Sequence, residues 1–356
     1  MSLQSLSLTH FRNISQARIA LSAHLTLIVG ANGQGKTNIL ESIYLVLQGR
    51  DFRTTNEREI IQHGSEFAAL EGMGELLGRP QRWQHRTPSQ AARRVHTGSI
   101  APVVLFAPDD VYLAKGSPER RRRFLDLLLS AHDARYARAL RAYHRTVLQR
   151  NRALKEAAFQ QVVEDFTPLL VREGLYLWNR RRETLDSLRP RAQAIHAQIA
   201  SGEELAFRLE YGGTPHEIHD EVRYAAEIQR RRPEERQRLV TLVGPHRDDI
   251  VMTINGLDTK TYASQGQLRT LALSIKLATY EWLRHETGVR PVILLDDVLS
   301  ELDERRRQAI LQTVAEPGQQ TVVTDTEPRS YQALEPLILS VQAGEVEPWN
   351  PLMSSG

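Results

Sequence analysis

The feature that most narrows what this chain can fold into is Gly30-Ala31-Asn32-Gly33-Gln34-Gly35-Lys36-Thr37, a fit to G-x-x-x-x-G-K-[ST]. An apolar run, Leu25 to Val29, precedes it, and Ile39, Ile43, Val46 and Leu47 recur at helical spacing after it. The pattern therefore sits in a strand–loop–helix setting. Gly30, Gly33 and Gly35 permit backbone angles that turn successive N–H groups onto phosphate oxygens, and the helix N-terminus adds its positive dipole end. In such a loop Lys36 reaches the β- and γ-phosphates and the Thr37 hydroxyl ligates Mg2+. The stretch predicts a nucleotide site in an α/β core.

A second stretch supplies the acids that such a site needs. Pro291 to Leu295 is an apolar run of the kind found in buried parallel strands, and it ends in Asp296-Asp297. Asp296 would hold the metal through its water shell, and Asp297 could orient or deprotonate an attacking water. Ser300-Glu301-Leu302-Asp303 follows, then a helix from Glu304 to Ala315, then Gln320 to Thr324 as a last core strand. Upstream, Ser264-Gln265-Gly266-Gln267 opens an amphipathic helix bearing Leu268, Leu271, Ile275, Ala278 and Trp282. Ser264 suits an N-cap, and Gly266 allows close backbone approach.

Ahead of the loop, Leu3 to Leu8 and Ala17 to Leu21 alternate like strands around Phe11-Arg12-Asn13. Phe67 to Leu76 and Ala101 to Phe106 read as further strands, with Gly78 to Ala92 a loop or hairpin. At 356 residues the chain is long enough for two lobes.

The middle of the chain is helical and basic. From Leu125 through Leu129, Tyr136, Leu140, Tyr143 and Val147 to Leu154 the apolar positions keep a 3.5-residue seam. Two more helical blocks, Gln160 to Leu188 and Arg191 to Ala200, complete an arm. The net charge is +3, yet Lys115 to Lys155 holds twelve basic residues against three acids. Arg138, Arg141, Arg145 and Arg152 share a face opposite the seam. That face reads either as a solvated surface or as a seat for DNA backbone, and its one-sided sign favours DNA. His246 beside Asp248 and Asp249 reads as a hydrogen-bonded corner, with a metal site as the minor alternative.

There are no cysteines, which excludes disulfides and thiolate metal sites and fits the cytoplasm. No apolar run approaches a membrane span, and Met1 to Phe11 has no basic-then-apolar leader. The expectation is a cytoplasmic protein with no membrane partner.

The order of phosphate loop, long insertion, S-x-G-Q helix, apolar strand with two aspartates, then S-E-L-D is that of an ABC-type ATPase head. More narrowly, the chain resembles the bacterial RecF family. The resemblance rests on Phe11-Arg12-Asn13, Gly30 to Asn38, Gly49-Arg50-Asp51-Phe52-Arg53-Thr54 and Gly116 to Asp126. It continues through Gln149-Arg150-Asn151, Gly244-Pro245-His246-Arg247-Asp248-Asp249, Ser264 to Gln267 and Asp296 to Asp303. It implies an ATPase lobe I over 1–113 and 288–356, and a lobe II over 114–287 with the helical arm and no long coiled coil.

By that resemblance ATP and Mg2+ are the cofactors, and Arg12, the Gly30 to Thr37 loop, Ser264 to Gln267 and Asp303 contact nucleotide. Ser264 to Gln267 would be the signature motif that meets the γ-phosphate held by a second copy, so the ATPase would work as an ATP-dependent homodimer. Ser300 to Asp303 would be the D-loop at that seam. Phe106 to Asp110 take the Q-loop place without a glutamine, and Val323-Thr324-Asp325 take the switch place without a histidine. Asp297 stands where faster motors carry glutamate; one methylene less leaves the carboxylate further from the water, so slow hydrolysis is expected. The implied function is a weak, DNA-stimulated ATPase of gap repair and replication restart, with DNA, RecR, RecO and RecA as partners and a part in the SOS response.

Two other functions remain open on sequence. A transporter motor is opposed by the 227 positions between Thr37 and Ser264. A small-molecule kinase would use the phosphate loop but leave the Ser264 and Asp303 motifs idle.

Overall fold

The computed structural model describes residues 1–54, 56–89, 93–200, 202–210, 218–299, 302–326, 331 and 334–349. In chain order the elements are β1 (Ser2–Phe11), β2 (Ile14–Ala20), β3 (Leu25–Val29), α1 (Lys36–Gln48), β4 (Phe67–Leu76), β5 (Arg79–Pro88), β6 (Val95–Thr97) and β7 (Val103–Phe106). Next come α2 (Val111–Lys115), α3 (Pro118–His132), α4 (Ala134–Lys155), α5 (Thr167–Ile199), β8 (Leu205–Glu210), α6 (Glu221–Arg238), β9 (Asp249–Ile254), β10 (Leu257–Asp258) and α7 (Thr259–Tyr262). The chain closes with α8 (Gln265–Thr287), β11 (Val292–Asp296), α9 (Glu304–Val314), β12 (Thr321–Asp325), β13 (Leu337–Gln342) and β14 (Glu345–Pro348). They form two compact units, Met1–Asp110 with Thr279–Gly356, and Val111–Ala278.

The first unit is built on two sheets. Every residue of β3 and of β11 is buried, and such fully buried, mostly apolar strands occupy the interior of a parallel sheet covered on both faces. The sheet runs β14-β13-β3-β12-β11-β7, parallel throughout except for the β13–β14 hairpin. The other sheet, β2-β1-β4-β5-β6, is antiparallel, and from Gln16 to Ala20 β2 alternates exposed and buried as a strand with one wet face should. Helix α1 joins the two, placing Ile39, Leu40, Ile43, Val46 and Leu47 in a core with Leu6 and Trp83 from one sheet and Ile28 and Leu294 from the other.

Gln320 ties the two sheets together from a position far along the chain. Its amide oxygen accepts from Leu3 N at 2.7 Å, and its Nε2 donates to the Leu3 and Ser22 carbonyls at 2.7 and 2.8 Å. The Gly78 region forms a hairpin: β4 and β5 pair over their full lengths about Leu77 and Gly78, both with positive φ, as a two-residue type I′ turn requires. Ala92, the end of that predicted segment, lies outside the described residues. One expectation fails here. Thr321–Asp325 is not the last core strand, because β13 adds in parallel to β3 and β14 turns back on it.

The second unit corrects the helical reading twice. The 3.5-residue seam does not run on one helix: Asp133 breaks the chain with φ −128° and ψ 98°, and its carboxylate caps α4 by accepting from Tyr136 N at 2.9 Å. Leu125 and Leu129 therefore belong to α3, and Tyr136, Tyr143, Val147 and Leu154 to the buried face of α4. In contrast, the stretches on either side of Pro190 are one helix, α5, which starts at Thr167 after a 3-10 segment ending at Phe166 and continues through the proline. Proline inside a helix removes a bond and costs about 3 kcal/mol, so packing of Leu185, Leu188, Ala192 and His196 outweighs local preference here.

Charges hold this unit from within. Arg181 is 1% exposed and bonds Asp126, Asp248 and the Pro245 carbonyl at 2.7–2.8 Å. Trp178 Nε1 donates to the same Asp248, which is fully buried. His246 donates from Nε2 to the Thr241 carbonyl at 3.1 Å and accepts the Tyr143 hydroxyl at Nδ1, 2.7 Å away. Burial lowers its pKa to about 4, so the ring is neutral, as the Tyr143 bond requires. The Gly244 to Asp249 motif is thus a hydrogen-bonded corner that pins α4, α5 and β9.

Candidate nucleotide-binding site

The phosphate loop leaves β3 at Gly30 and enters α1 at Lys36. Three backbone facts explain its glycines. A Cβ on Gly30 would meet the Val341 carbonyl oxygen at 2.4 Å, so β13 sets that position. Gly33 and Gly35 have φ of +79° and +119°, angles that cost a side-chain-bearing residue dearly. A Cβ on Gly33 would meet nothing within 4 Å, which leaves the turn open on that side.

Lys36, the first residue of α1, folds back into the loop. Its Nζ donates to the Gly30 carbonyl at 2.8 Å and lies 3.7 Å from Asp297 Oδ2. Ala31 O and Asn32 Oδ1 are each 3.5 Å away, at the limit of a hydrogen bond. The Lys36 side chain is 4% exposed, so the fold itself holds a cation in the cup of the loop.

Strand order brings the acids to it. β3, β12 and β11 are adjacent and parallel, so their C-terminal ends line up and Thr37, Asp296, Asp297 and Thr324 meet. Thr37 Oγ1 donates to Asp296 Oδ1 at 2.9 Å, and Thr324 Oγ1 lies 3.0 Å from the same oxygen. Thr324 also accepts from Asp297 N at 2.9 Å. Burial pushes the Asp296 carboxyl above its usual range, while both threonine hydroxyls pull the other way. Asp297 has φ +50°, rare for a non-glycine residue and of the kind that concentrates where geometry serves chemistry.

The donor set fits a magnesium nucleotide. Thr37 and Asp296 offer hard oxygens 2.9 Å apart, the ligand class that magnesium takes directly or through its water shell. Around them stand a glycine-rich N–H loop, a helix N-terminus and one ammonium, the groups that receive phosphates.

The remaining predicted site residues have local partners of their own. Arg12 lies in the β1–β2 turn and grips the second turn of α1: Nε and Nη2 bond the Glu41 carboxylate at 3.1 and 2.5 Å, and Nη1 bonds the Glu59 carbonyl. Ser264 and Gln267 form a capping box on α8, Ser264 Oγ accepting from Gln267 N and Gln267 Oε1 from Ser264 N. Ser264 and Gln265 are exposed, Gly266 and Gln267 half-buried. Asp303 caps α9 by accepting from Arg306 N at 3.0 Å; Ser300 and Glu301 lie outside the described residues. Asp110 caps a short 3-10 turn at the predicted Q-loop place, accepting from Ala107 N.

Arg138, Arg141, Arg145 and Arg152 are all exposed on α4, opposite its buried tyrosines. The same basic run also contains Arg121 and Arg150, which are buried and paired with Asp249 and Glu235. Charge counting could not separate the two kinds. Nor did it find the partners of the loop's apex, Asn13 and the β13–β14 turn at Ala343-Gly344. A two-residue turn between alternating runs was the available signal for the latter.

With this geometry in place, the comparisons with known proteins are consistent. Residues 2–98 match the model of the RecF/RecN/SMC N terminal domain. The DNA replication and repair protein RecF of Symbiobacterium thermophilum is 40% identical over 346 residues, covering 92% of each chain. That of Staphylococcus epidermidis is 36% identical, covering 91% of this chain and 93% of its own. Among solved structures, the recombination mediator protein RecF-ATP of the RecFOR pathway superposes with a TM-score of 0.87 at 29% identity, covering 98% of this chain and 97% of that one. The Smc head domain of Pyrococcus furiosus gives 0.53 at 16% identity, covering 97% and 95%, a likeness of fold. The fold is that of an ABC-type ATPase head.

Proposed function

The chain belongs to the RecF family of DNA replication and repair proteins, and we propose that it is the ATP-dependent DNA-binding member of recombinational gap repair and replication restart, closing as a dimer on DNA with slow ATP hydrolysis. The single observation that carries the nucleotide part is the meeting of Thr37, Lys36, Asp296 and Asp297 within hydrogen-bond and ion-pair reach. The relative named RecF-ATP supports ATP as the ligand.

In this reading the Gly30 to Thr37 loop and Lys36 bind the phosphates, and Thr37 with Asp296 holds magnesium. When bound, magnesium supplies neutralisation of phosphate charge. Asp297 accepts from and orients the attacking water, and Thr324 fixes that aspartate's backbone. Ser264 to Gln267 and Asp303 complete the site of a second copy. Arg138, Arg141, Arg145 and Arg152 bind DNA through its phosphates, which position the protein without reading sequence. RecR, RecO and RecA are the partners this pathway implies, with the SOS response downstream and the cytoplasm as the place. No helix among the described residues is long and apolar enough to cross a membrane.

The test is ATP turnover with and without gapped or duplex DNA, alongside a panel of phosphoryl-accepting metabolites, and sedimentation with and without ATP and Mg2+. Stimulation by DNA with ATP-dependent dimerisation is expected. Stimulation by a metabolite, or a monomer at saturating ATP, overturns the reading.

A further inference from the structure

The apex of the phosphate loop is held from outside by three donors. The Gln34 carbonyl accepts from Asn13 Nδ2 and from Gly344 N, each at 3.0 Å, and the Gln34 side-chain oxygen accepts from Ala343 N at 2.6 Å. Asn13 comes from the β1–β2 turn and Ala343-Gly344 from the β13–β14 turn, so one residue of the loop is clasped by two hairpins from different sheets. The clasp is close: a Cβ on Gly344, at φ +86°, would meet the Asn13 carbonyl oxygen at 2.3 Å, and one on Gly35 would meet the Asn13 amide at 3.0 Å.

We propose that Asn13 is a positioning residue for phosphate binding: with Gly344 it fixes the Gln34–Gly35 peptide so that the Gly35 N–H is aimed before nucleotide arrives. The reason is geometric. In a planar trans peptide the carbonyl and the following N–H point in opposite directions, so tying the Gln34 carbonyl to Asn13 and Gly344 turns the Gly35 N–H away from both. Glycine at φ +119° has no intrinsic preference that would hold this peptide, and an unheld one would rotate. A donor that must be ordered on binding weakens affinity; one already ordered does not.

The orientation of Asn13 is itself determined. Its Oδ1 accepts from Asn38 Nδ2 at 2.8 Å, which leaves its own Nδ2 facing Gln34. Asn38 Oδ1 in turn accepts from Arg53 Nη1 at 3.0 Å, and that same nitrogen lies 3.0 Å from Glu41 Oε2, whose carboxylate is fully buried. Arg12 grips the other oxygen of Glu41. Asn13 of the Phe11-Arg12-Asn13 motif and Arg53 of the Gly49 to Thr54 motif are thus linked through Asn38 to one carbonyl of the loop.

The inference rests on the loop binding nucleotide, so the wild-type chain is measured first. ADP and ATP affinities are titrated with Mg2+ for wild type, Asn13→Ala and Gly344→Ala, and the Gly35 amide is followed in protein labelled with 15N-glycine. Asn13 is exposed, so Asn13→Ala should unfold at the wild-type temperature. The expected result is about tenfold weaker binding of both nucleotides, with the nucleotide-free Gly35 resonance broadened or moved in the variant. Asn38→Ala, which frees the Asn13 amide to flip, should reproduce a smaller share of the loss. No nucleotide binding by wild type sinks the nucleotide reading itself. Binding by wild type with unchanged affinity and an unchanged Gly35 resonance in Asn13→Ala overturns the positioning role alone.

Discussion

Thr37 Oγ1 donates to Asp296 Oδ1 at 2.9 Å across a separation of 259 positions. The bond joins the end of the phosphate loop to the end of β11, across the parallel strand β12 that lies between β3 and β11. Thr37→Val keeps volume but removes the hydroxyl. Nucleotide affinity in the variant should lose its dependence on Mg2+, falling about tenfold with the metal present and hardly at all in EDTA. Equal losses in both conditions would assign Thr37 to the phosphates rather than to the metal.

Asp297→Asn isolates one charge. Asparagine tolerates the left-handed region as well as aspartate does, so φ +50° is kept without added strain. The variant should bind ATP within severalfold of wild type, fail to hydrolyse it, and persist longer as a dimer in sedimentation. Normal turnover would move the role of orienting water to another group.

Exposed and buried arginines of one basic run should behave differently. Arg141 and Arg145 are exposed, so replacing both by glutamine should leave the unfolding midpoint alone while weakening DNA binding. The slope of log K against log salt should fall by about 0.9 for each duplex phosphate that is no longer neutralised. An unchanged slope would return the stripe to a solvated surface. Arg150, buried and bonded to Glu235 and Thr241, is the contrast. Arg150→Gln strands a buried carboxylate and should cost about 3–5 kcal/mol in denaturant unfolding.

Acid should loosen the antiparallel sheet through His85. Burial first, then the nearby His96 and Arg94 charges, lowers its pKa from 6.5 to about 3. The native state therefore binds fewer protons than the unfolded chain between those values. Its contribution is fully present above pH 6.5 and is lost as pH falls toward 3. From pH 6.5 to 4 the loss is about 3 kcal/mol by the shift involved. His85→Gln should show a flatter stability curve over that range; curves that stay parallel would exclude His85 as the source.

The proposed sharing of the site between two copies makes its own prediction. Ser264→Arg places bulk and charge on the exposed cap of α8 and leaves the phosphate loop intact, so ATP should still bind. Sedimentation at saturating ATP should show a monomer. A dimer formed as readily as by wild type would mean that Ser264 does not meet a second copy.

What the sequence determined was a set of motifs that depend on short spacing. The Gly30 to Thr37 loop, the two aspartates after an apolar strand, and the Ser264 cap are local patterns that a few neighbouring residues define. Their order along the chain was enough to identify the head and the family. Tertiary structure alone decided which groups meet. Arg150 and Arg145 are the same residue type on one helix, and only packing against Glu235 makes one a core ion pair and leaves the other exposed. Pro190 reads as a break, yet burial on both sides carries α5 through it. The clasp on Gln34 joins positions 13, 34 and 344, and no periodicity links residues brought together by two hairpins on separate sheets. Local patterns record torsional preference; contacts over hundreds of positions record strand order, which exists only once the sheets have formed.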